Sequence, residues 1–560
     1  MCYTCVRECP AKAIRVAERQ AEVMPERCIG CGNCVRVCSQ HAKKVASDVD
    51  LVWDLLHSPA PVAACVAPSF PAEFPELEYD VLVGMLRRLG FDFVCEVAVG
   101  ADLVAQEYRD LLGEDEESRY IETACPAIVG YVERYHPNLV GNLAPVVSPM
   151  VASARLLRKV HGKNLGVVFI GPCIAKKAEI NGSSVAGDVN AVITFVELRE
   201  FFASQALDPA TIEPSEFDPP HAGIGALYPI SRGMLQAADI DEDLITGEVV
   251  SAEGRGEFVE ALREFESGDM NVRLLQVLAC TGCIMGPGMS TEAALFRRRS
   301  QVSRYVQRRL AMFDQEEIRR EVAAHHAELD LRRTYERDDQ RLDRPTEADI
   351  TAILRRMGKT KPEDELNCGA CGYETCREHA IAIYKGMAES EMCLPYTIEQ
   401  LGRTCEELTA TNGRLASTQE ALVQAEKLAS MGQLAAGIAH EVNNPLSTVL
   451  MLSHVLMDEA PDDSPAREDL QLIASEADRC KTIVAGLLQF ARKNKVETSS
   501  VDLRELVARV VRTLQIPEAI ELRVEQERVD VSAEVDRDQI VQVLTNLMTN
   551  AVGALSLIHI

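Results

Sequence analysis

The sequence predicts a multidomain chain. An α+β cysteine-rich unit is followed by an α/β domain, a small cysteine-rich unit, a helical bundle and part of a second α/β domain. Its 560 residues are enough for about four domains of ~150 residues each. All but four of the 19 cysteines fall into three groups along the chain. Beyond the last group, apolar residues recur at helical spacing.

Composition excludes several classes of function. A net charge of -28 argues against nucleic acid or an anionic membrane as the main partner. No apolar run approaches the ~18 residues of a membrane span, and the N-terminus lacks a secretion-signal pattern, so we expect a cytoplasmic protein. In such a chain, grouped cysteines indicate metal or redox chemistry rather than disulfides. The isolated Cys65, Cys95, Cys405 and Cys480 are expected to be small buried apolar residues.

Residues 1–48 contain two cysteine runs. The complete run, C-x2-C-x2-C-x3-C, consists of Cys28, Cys31, Cys34 and Cys38. The shorter run, Cys2, Cys5 and Cys9 before Pro10, matches its last three cysteines. This pattern resembles that of two-cluster ferredoxins, which implies that one 4Fe-4S cluster is held by Cys9, Cys28, Cys31 and Cys34 and a second by Cys2, Cys5 and Cys38. The missing ligand would precede Cys2 by three positions, so we expect an N-terminal truncation. A structural zinc site is the alternative.

Residues 55–345 predict an α/β domain, because β-rich runs such as 166–170 alternate with helical patterns such as 147–160. Cysteines occur in three motifs of this region. Cys125 lies in T-A-C-P, Cys173 in G-P-C-I-A-K-K-A-E, and Cys280 and Cys283 in A-C-T-G-C-I-M-G-P-G. Four thiolates from three distant loops would suit a buried 4Fe-4S cluster.

Over about residues 60–300, these motifs resemble the large-subunit domain of iron-only hydrogenases. The resemblance implies that Cys125, Cys173 and Cys280 bind the cubane and that Cys283 also bridges to a diiron centre carrying carbonyl and cyanide. Lys176 matches the family lysine that hydrogen-bonds a cyanide, a charge-assisted contact.

The same region departs from the productive enzymes. Ala124 replaces a proton-passing cysteine, and Gly171 and Leu278 replace methionines. The third motif has two residues between its cysteines instead of three. These changes predict a site that binds dihydrogen but turns it over slowly, as in the sensory branches of the family. A domain holding only a cubane is the alternative.

Residues 346–398 contain a third cysteine group, C-x2-C-x4-C-x16-C. It comprises Cys368, Cys371, Cys376 and Cys393. It resembles the small 4Fe-4S domain of several redox enzymes, with zinc again the alternative. Over residues 399–427, leucine recurs every seven residues at 401, 408, 415 and 422. This spacing predicts a parallel coiled coil in a homodimer, with Asn412 available to fix the register, or else a surface helix.

Residues 428–495 predict two helices, which would form a four-helix bundle in a dimer. His440 lies two residues off the apolar seam, so it should face solvent. It occurs in G-I-A-H-E-V-N-N-P-L, which resembles the H box of dimeric sensor histidine kinases. The resemblance implies that His440 attacks the γ-phosphoryl group of ATP, that Glu441 orients it and accepts its proton, and that Asn444 faces the same reaction space.

Residues 498–560 are similar to part of the ATP-binding domain of such kinases. We expect a strand at 520–524 and a helix from Asp538 that contains N-L-M-T-N-A. This motif resembles the N box, with Asn550 matching the magnesium-holding asparagine and Asn546 one turn earlier. The glycine-bearing lid boxes are not found. We therefore expect a C-terminal truncation and a chain unable to phosphorylate itself.

Together these patterns predict a redox- or dihydrogen-sensing histidine kinase. Its cofactors would be four 4Fe-4S clusters and a diiron subsite, with ATP and magnesium at the kinase end. Its input would be dihydrogen or an electron-transfer protein, and its output phosphotransfer to a response regulator. The alternatives are a catalytic hydrogenase with a regulatory kinase module and an iron–sulfur redox sensor without a diiron centre.

Overall fold

The computed structural model describes residues 2–114, 117–459, 461, 464–491, 498–517, 520–525 and 531–558. These form two compact units, Met1–Gly402 and Arg403–Ile560. The boundary predicted at 495–498 for the kinase domains lies largely outside the described residues. Within them, no helix combines the length and apolarity needed to cross a membrane.

The first unit opens with two short helices around a β-hairpin. The elements are α1 (Thr4–Arg7), β1 (Ile14–Ala17), β2 (Gln20–Val23) and α2 (Asn33–Arg36). The two strands are antiparallel, with Ile14 opposite Val23. Each helix lies within one cysteine run, so one run precedes the hairpin in the sequence and the other follows it.

The α/β region contains two parallel sheets. One has the order β4-β3-β6-β7 and the other β5-β9-β8. Their strands are β3 (Val62–Val66), β4 (Phe93–Glu96), β5 (Tyr120–Ile121), β6 (Gly166–Gly171), β7 (Ala191–Thr194), β8 (Val249–Glu253) and β9 (Leu274–Leu278). β3, β6 and β9 are buried along their whole length, as expected for parallel strands covered on both faces.

Helices cover these sheets and continue beyond them. They are α3 (Val49–Leu56), α4 (Phe70–Glu73), α5 (Tyr79–Leu89), α6 (Ala98–Glu114), α7 (Pro126–Tyr135), α8 (Pro149–His161), α9 (Lys176–Glu179), α10 (Phe195–Ser204), α11 (Gly233–Ala238), α12 (Arg255–Ser267), α13 (Leu295–Met312), α14 (Gln315–His326), α15 (Glu347–Arg356) and α16 (Cys376–Tyr384). α8 and β6 agree with the helix and strand predicted over 147–160 and 166–170.

Two close contacts join elements of this core, one between α6 and α8 and the other between α13 and β4. α6 approaches α8 at Gly100, where an added Cβ would collide with the Pro149 carbonyl oxygen and with Ser153. On α13, the Arg309 guanidinium is 4% exposed and donates to the Glu96 carboxylate at 3.3 Å and to Glu216 at 2.8 Å. This buried ion pair ties α13 to the end of β4.

The second unit contains most of the longest helix, α17 (Leu394–Glu459), which begins in the first unit. It also contains α18 (Pro465–Ala491), β10 (Ser499–Asp502), α19 (Leu503–Thr513), β11 (Ser532–Val535) and α20 (Arg537–Ile558). β10 and β11 are antiparallel. The helix expected from Asp538 is present as α20.

Two sequence expectations are corrected. Residues 520–524 form no strand; β10 pairs with 532–535 instead, and Val524 is 62% exposed. Among the isolated cysteines, Cys65 and Cys95 are buried opposite each other on β3 and β4. Cys405 and Cys480 are exposed in the single chain, because they lie on stretches of α17 and α18, residues 398–431 and 478–483, whose side chains are all exposed.

Candidate functional site

The cysteines of the α/β region converge at the carboxyl ends of its strands, where ligand sites of parallel sheets lie. Cys125 follows β5 and precedes α7, Cys173 follows β6, and Cys280 and Cys283 follow β9. All four line one cavity of about 30 Å³, together with Cys31 of the N-terminal region. The structure thus brings together the four residues that the sequence assigned to one cubane.

Burial disfavours ionisation of these thiols. It raises the pKa of Cys173 to about 11, with Cys125 adding to the shift and Lys176 opposing it. Burial also raises the pKa of Cys283 far above its usual range. Thiolates bind metal, so a bound cation would supply the positive charge that this apolar cavity lacks. Four convergent, half-buried thiols therefore fit a 4Fe-4S cluster.

Within the described ranges, no group of three or more histidine, cysteine, aspartate or glutamate side chains is arranged to hold a single metal ion. A cubane differs because each of its cysteines binds a different iron atom.

A second cavity, of about 90 Å³, adjoins the cysteine cavity and shares Cys125, Cys173 and Cys283 with it. Its other lining residues include Ala124 and Lys176. The Lys176 ammonium lies 2.7 Å from the Glu179 carboxylate and donates to the Ala124 carbonyl oxygen at 3.3 Å. A buried cation thus faces the space where the resemblance expects an anionic ligand, although Glu179 already pairs with it.

Sequence reasoning missed three polar residues of this cavity. Glu122 is 1% exposed, and burial raises its pKa to about 8. Its Oε2 atom and the hydroxyls of Ser69 and Tyr228 have no hydrogen-bond partner among the described residues. Only Glu122 left a signal in the sequence, as a charged residue three positions before Cys125 in the first cysteine motif of the region.

The N-terminal cysteines influence one another's ionisation. Burial raises the pKa of Cys31 to about 12, and the charges of Cys9, Cys28 and Cys34 add to the rise. Burial likewise raises the pKa of Cys5, to which Cys2 and Cys38 contribute. Cys5 also adds to the raised pKa of Cys34, so the two expected ligand sets adjoin, and the assignment of each cysteine to a cluster stays a prediction.

The third cysteine group surrounds a cavity of about 10 Å³ lined by Cys368, Cys371, Cys376 and Cys393. Tyr373 and His379 line the same cavity. Cys376 begins α16, whose first turn is closed by the capping box of Thr375 and Glu378. Cys393 immediately precedes α17.

In the second unit, His440 is exposed on α17, as predicted, whereas the neighbouring Ala439 is buried. Glu441 and Asn444 are also exposed, and Pro445 lies within the helix. The side chain of an acceptor histidine must be reachable by a nucleotide, and this position allows it.

The predicted nucleotide residues lie on α20. Asn546 and Asn550 are one turn apart and both exposed. The expected coiled-coil leucines, at 401, 408, 415 and 422, are 59–65% exposed in the single chain.

Four family models match the chain. They describe a 4Fe-4S dicluster domain over residues 1–39, the C-terminal domain of the large chain of iron-only hydrogenase over 60–287, an Fe-S cluster over 364–395 and the His Kinase A phosphoacceptor domain over 430–495.

Curated relatives match separate parts of the chain. Sensor histidine kinase ZraS of Klebsiella oxytoca is 36% identical over 24% of this chain and 30% of its own length. Iron hydrogenase 1 of Clostridium pasteurianum is 30% identical over 34% of this chain and 38% of its own length. NADP-reducing hydrogenase subunit HndD of Solidesulfovibrio fructosivorans is 25% identical over 49% of this chain and 58% of its own length. The chain therefore spans between 30% and 58% of the length of these relatives.

A solved FeFe-hydrogenase HydA1 from Chlamydomonas reinhardtii aligns with 52% of this chain and 100% of its own, at 19% identity and a TM-score of 0.41. The chain therefore contains a region similar to the iron-only hydrogenase large-subunit domain, two regions similar to iron–sulfur domains on either side of it, and a region similar to the phosphoacceptor domain of sensor histidine kinases.

Proposed function

We propose that this chain is a redox- or dihydrogen-sensing histidine kinase whose hydrogenase-like module controls phosphorylation of His440. One observation carries the proposal: the helix that bears His440 begins at Leu394, directly after the last cysteine of the third cluster group. A change at that cluster therefore acts on a residue bonded to the kinase helix. The phosphoryl group would then pass to an aspartate of a response regulator.

At the kinase end, the neutral imidazole of His440 attacks the γ-phosphoryl group of ATP. Glu441 orients the ring and accepts its proton, and Asn444 contacts the same reaction space. Asn550 would hold the magnesium ion that neutralises the phosphates, and Asn546, one turn earlier on the same helix, would face the same nucleotide site. The exposure of all five side chains supports these roles, since substrates must reach them.

At the sensing end, Cys125, Cys173, Cys280 and Cys283 would hold a cubane, with Cys283 bridging to a diiron subsite in the 90 Å³ cavity. The diiron subsite would supply dihydrogen-binding chemistry. Lys176 presents a buried ammonium to that cavity, and Ala124 offers no proton there. The missing proton donor at Ala124 favours binding of dihydrogen over rapid turnover.

The test compares phosphorylation of His440 under dihydrogen and under argon at matched redox potential. The assay uses a version of the protein extended to a complete ATP-binding domain and loaded anaerobically with its clusters and the diiron subsite. We expect the rates to differ between the gases, His440→Gln to remove the label, and Cys283→Ser to abolish the difference. Equal rates under both gases would eliminate dihydrogen as the signal.

Infrared spectroscopy tests the diiron subsite separately. Bands of metal-bound carbonyl and cyanide should appear in the loaded protein and disappear in Cys283→Ser. If the loaded protein lacks them, a redox sensor with cubanes alone becomes the better description.

A further inference from the structure

The N-terminal domain contacts the small third-cluster domain, although the two are far apart in the sequence. The backbone N–H of Val16 donates to the Met387 carbonyl oxygen at 2.9 Å. The Glu389 carboxylate accepts the backbone N–H groups of Glu18 at 2.6 Å and Arg19 at 3.2 Å. The third-cluster domain is therefore fastened to the tip of the β1–β2 hairpin.

An apolar cluster joins the same two domains beneath these hydrogen bonds. Its fully buried members come from both sides: Val6, Ile14, Val16, Cys371, Tyr373, Ala382, Met387, Ala388 and Met392. Cys5, Cys9 and Cys34 pack against it. Cysteines of three predicted cluster sites, both N-terminal sets and the third group, thus border one apolar cluster.

The loop between Cys371 and Cys376 approaches α1 closely. Gly372 has a φ of 89°, and an added Cβ would lie 3.1 Å from the Tyr3 carbonyl oxygen. The next residue, Tyr373, is 7% exposed and stacks on His379 with ring centroids 5.5 Å apart. On the N-terminal side, the Lys12 ammonium lies 6.0 Å from the Tyr373 ring centroid. The ring therefore lies between the third-cluster cavity and the N-terminal domain.

The opposite side of the N-terminal domain meets the hydrogenase cubane site. Cys31 lines the same 30 Å³ cavity as the four cubane cysteines. It also lines a small cavity with Cys280. The set Cys9, Cys28, Cys31 and Cys34 is therefore adjacent to two cluster sites, the cubane site through Cys31 and the third-cluster site through Cys9.

We propose that the cluster held by Cys9, Cys28, Cys31 and Cys34 exchanges single electrons directly with the third-domain cluster across the Tyr373 ring. In each transfer the first cluster is oxidised by one electron and the second is reduced by one, with no proton moved and no bond broken. The electron comes from a low-potential reductant such as dithionite. Dihydrogen could supply the electron only if the proposed function holds; the transfer itself does not depend on that function.

Electron paramagnetic resonance of the full chain, loaded with iron and sulfide and reduced by dithionite, tests the placement. When the cluster of Cys9, Cys28, Cys31 and Cys34 and the third-domain cluster are both reduced, their unpaired spins should split or broaden each other's signals, because both sites border the same apolar cluster. Cys368→Ala and Cys376→Ala, each checked by iron content, should remove the third cluster and narrow the remaining signal. The control Cys405→Ala, at an exposed cysteine outside the cluster sites, should match the unsubstituted protein. If the unsubstituted spectrum is a simple sum of isolated clusters, the inference is overturned.

Tyr373 variants test the route and do not depend on the cysteine variants. After rapid mixing with dithionite and freezing, we expect the third cluster of Tyr373→Leu to be reduced several-fold more slowly, while Tyr373→Phe keeps the original rate. Equal rates in all three proteins would overturn transfer across the ring. Neither experiment needs ATP, dihydrogen or a diiron subsite. A kinase insensitive to dihydrogen would therefore leave both expected results unchanged.

Discussion

Replacing the buried Glu122 by glutamine should change how stability depends on pH. In the folded chain, burial raises the pKa of this carboxyl from 4.5 to about 8, opposed by a hydrogen bond from Gln276. Each pKa unit corresponds to ~1.4 kcal/mol, so the unfolded state gains up to ~5 kcal/mol from ionising this group. Because the folded pKa is the higher one, stability is retained below about pH 4.5, declines as the pH rises towards 8, and is constant above that.

Glu122→Gln keeps the shape of the side chain but cannot ionise. It should be nearly as stable as the original protein at pH 5 and several kcal/mol more stable at pH 9. The single tryptophan, Trp53, lies on α3 of the same domain, so its fluorescence during urea unfolding provides the assay. The exposed Glu260→Gln should show no such change with pH.

Infrared difference spectra give an independent measure of the same carboxyl. The carbonyl stretch of a protonated acid should be present at pH 6 in the original protein and missing in Glu122→Gln. If that band is missing from both, or if the stability difference does not grow between pH 5 and 9, the carboxyl is ionised in the folded protein and the reasoning fails.

Two further substitutions test the packing of the α/β core. Arg309→Leu leaves the Glu96 carboxylate buried without its cation and should lower the free energy of urea unfolding by ~3–5 kcal/mol. The adjacent Arg308 side chain is 69% exposed, so Arg308→Leu should change that free energy by less than ~0.5 kcal/mol. Equal effects of the two substitutions would contradict the buried ion pair. Gly100→Ala should lower the midpoint of thermal unfolding because the added Cβ has no space. Gly113→Ala, at an open position of the same helix, should leave the midpoint unchanged or raise it. A lower midpoint for Gly113→Ala than for Gly100→Ala would contradict the contact between α6 and α8.

The cysteine groups could be recognised from the sequence because ligand spacing is a local property. Cys371 and Cys376 must lie on one tight loop whatever the rest of the chain does. By contrast, the burial of Glu122 depends on strands that pack from distant parts of the chain, and no local pattern encodes it. The contact of Glu18 with Glu389 joins residues 371 positions apart and could not be found from periodicity.

The misplaced strand has a similar cause. Residues 520–524 alternate apolar and polar side chains, which is the pattern of a half-buried strand. A strand also needs a partner with free backbone groups, and β10 pairs with residues 532–535. Pattern alone identifies a segment able to form a strand, and pairing decides which segment does so.

One consequence of the junction at Cys393 concerns the restraint of the longest helix. The Cys393 carbonyl oxygen accepts both the backbone N–H of Thr397 at 2.9 Å and its hydroxyl at 3.0 Å, so it anchors the first turn of α17. The sulfur of the same residue lines the third-cluster cavity. A metal bound at that sulfur would therefore restrain the residue whose backbone already holds the start of the helix.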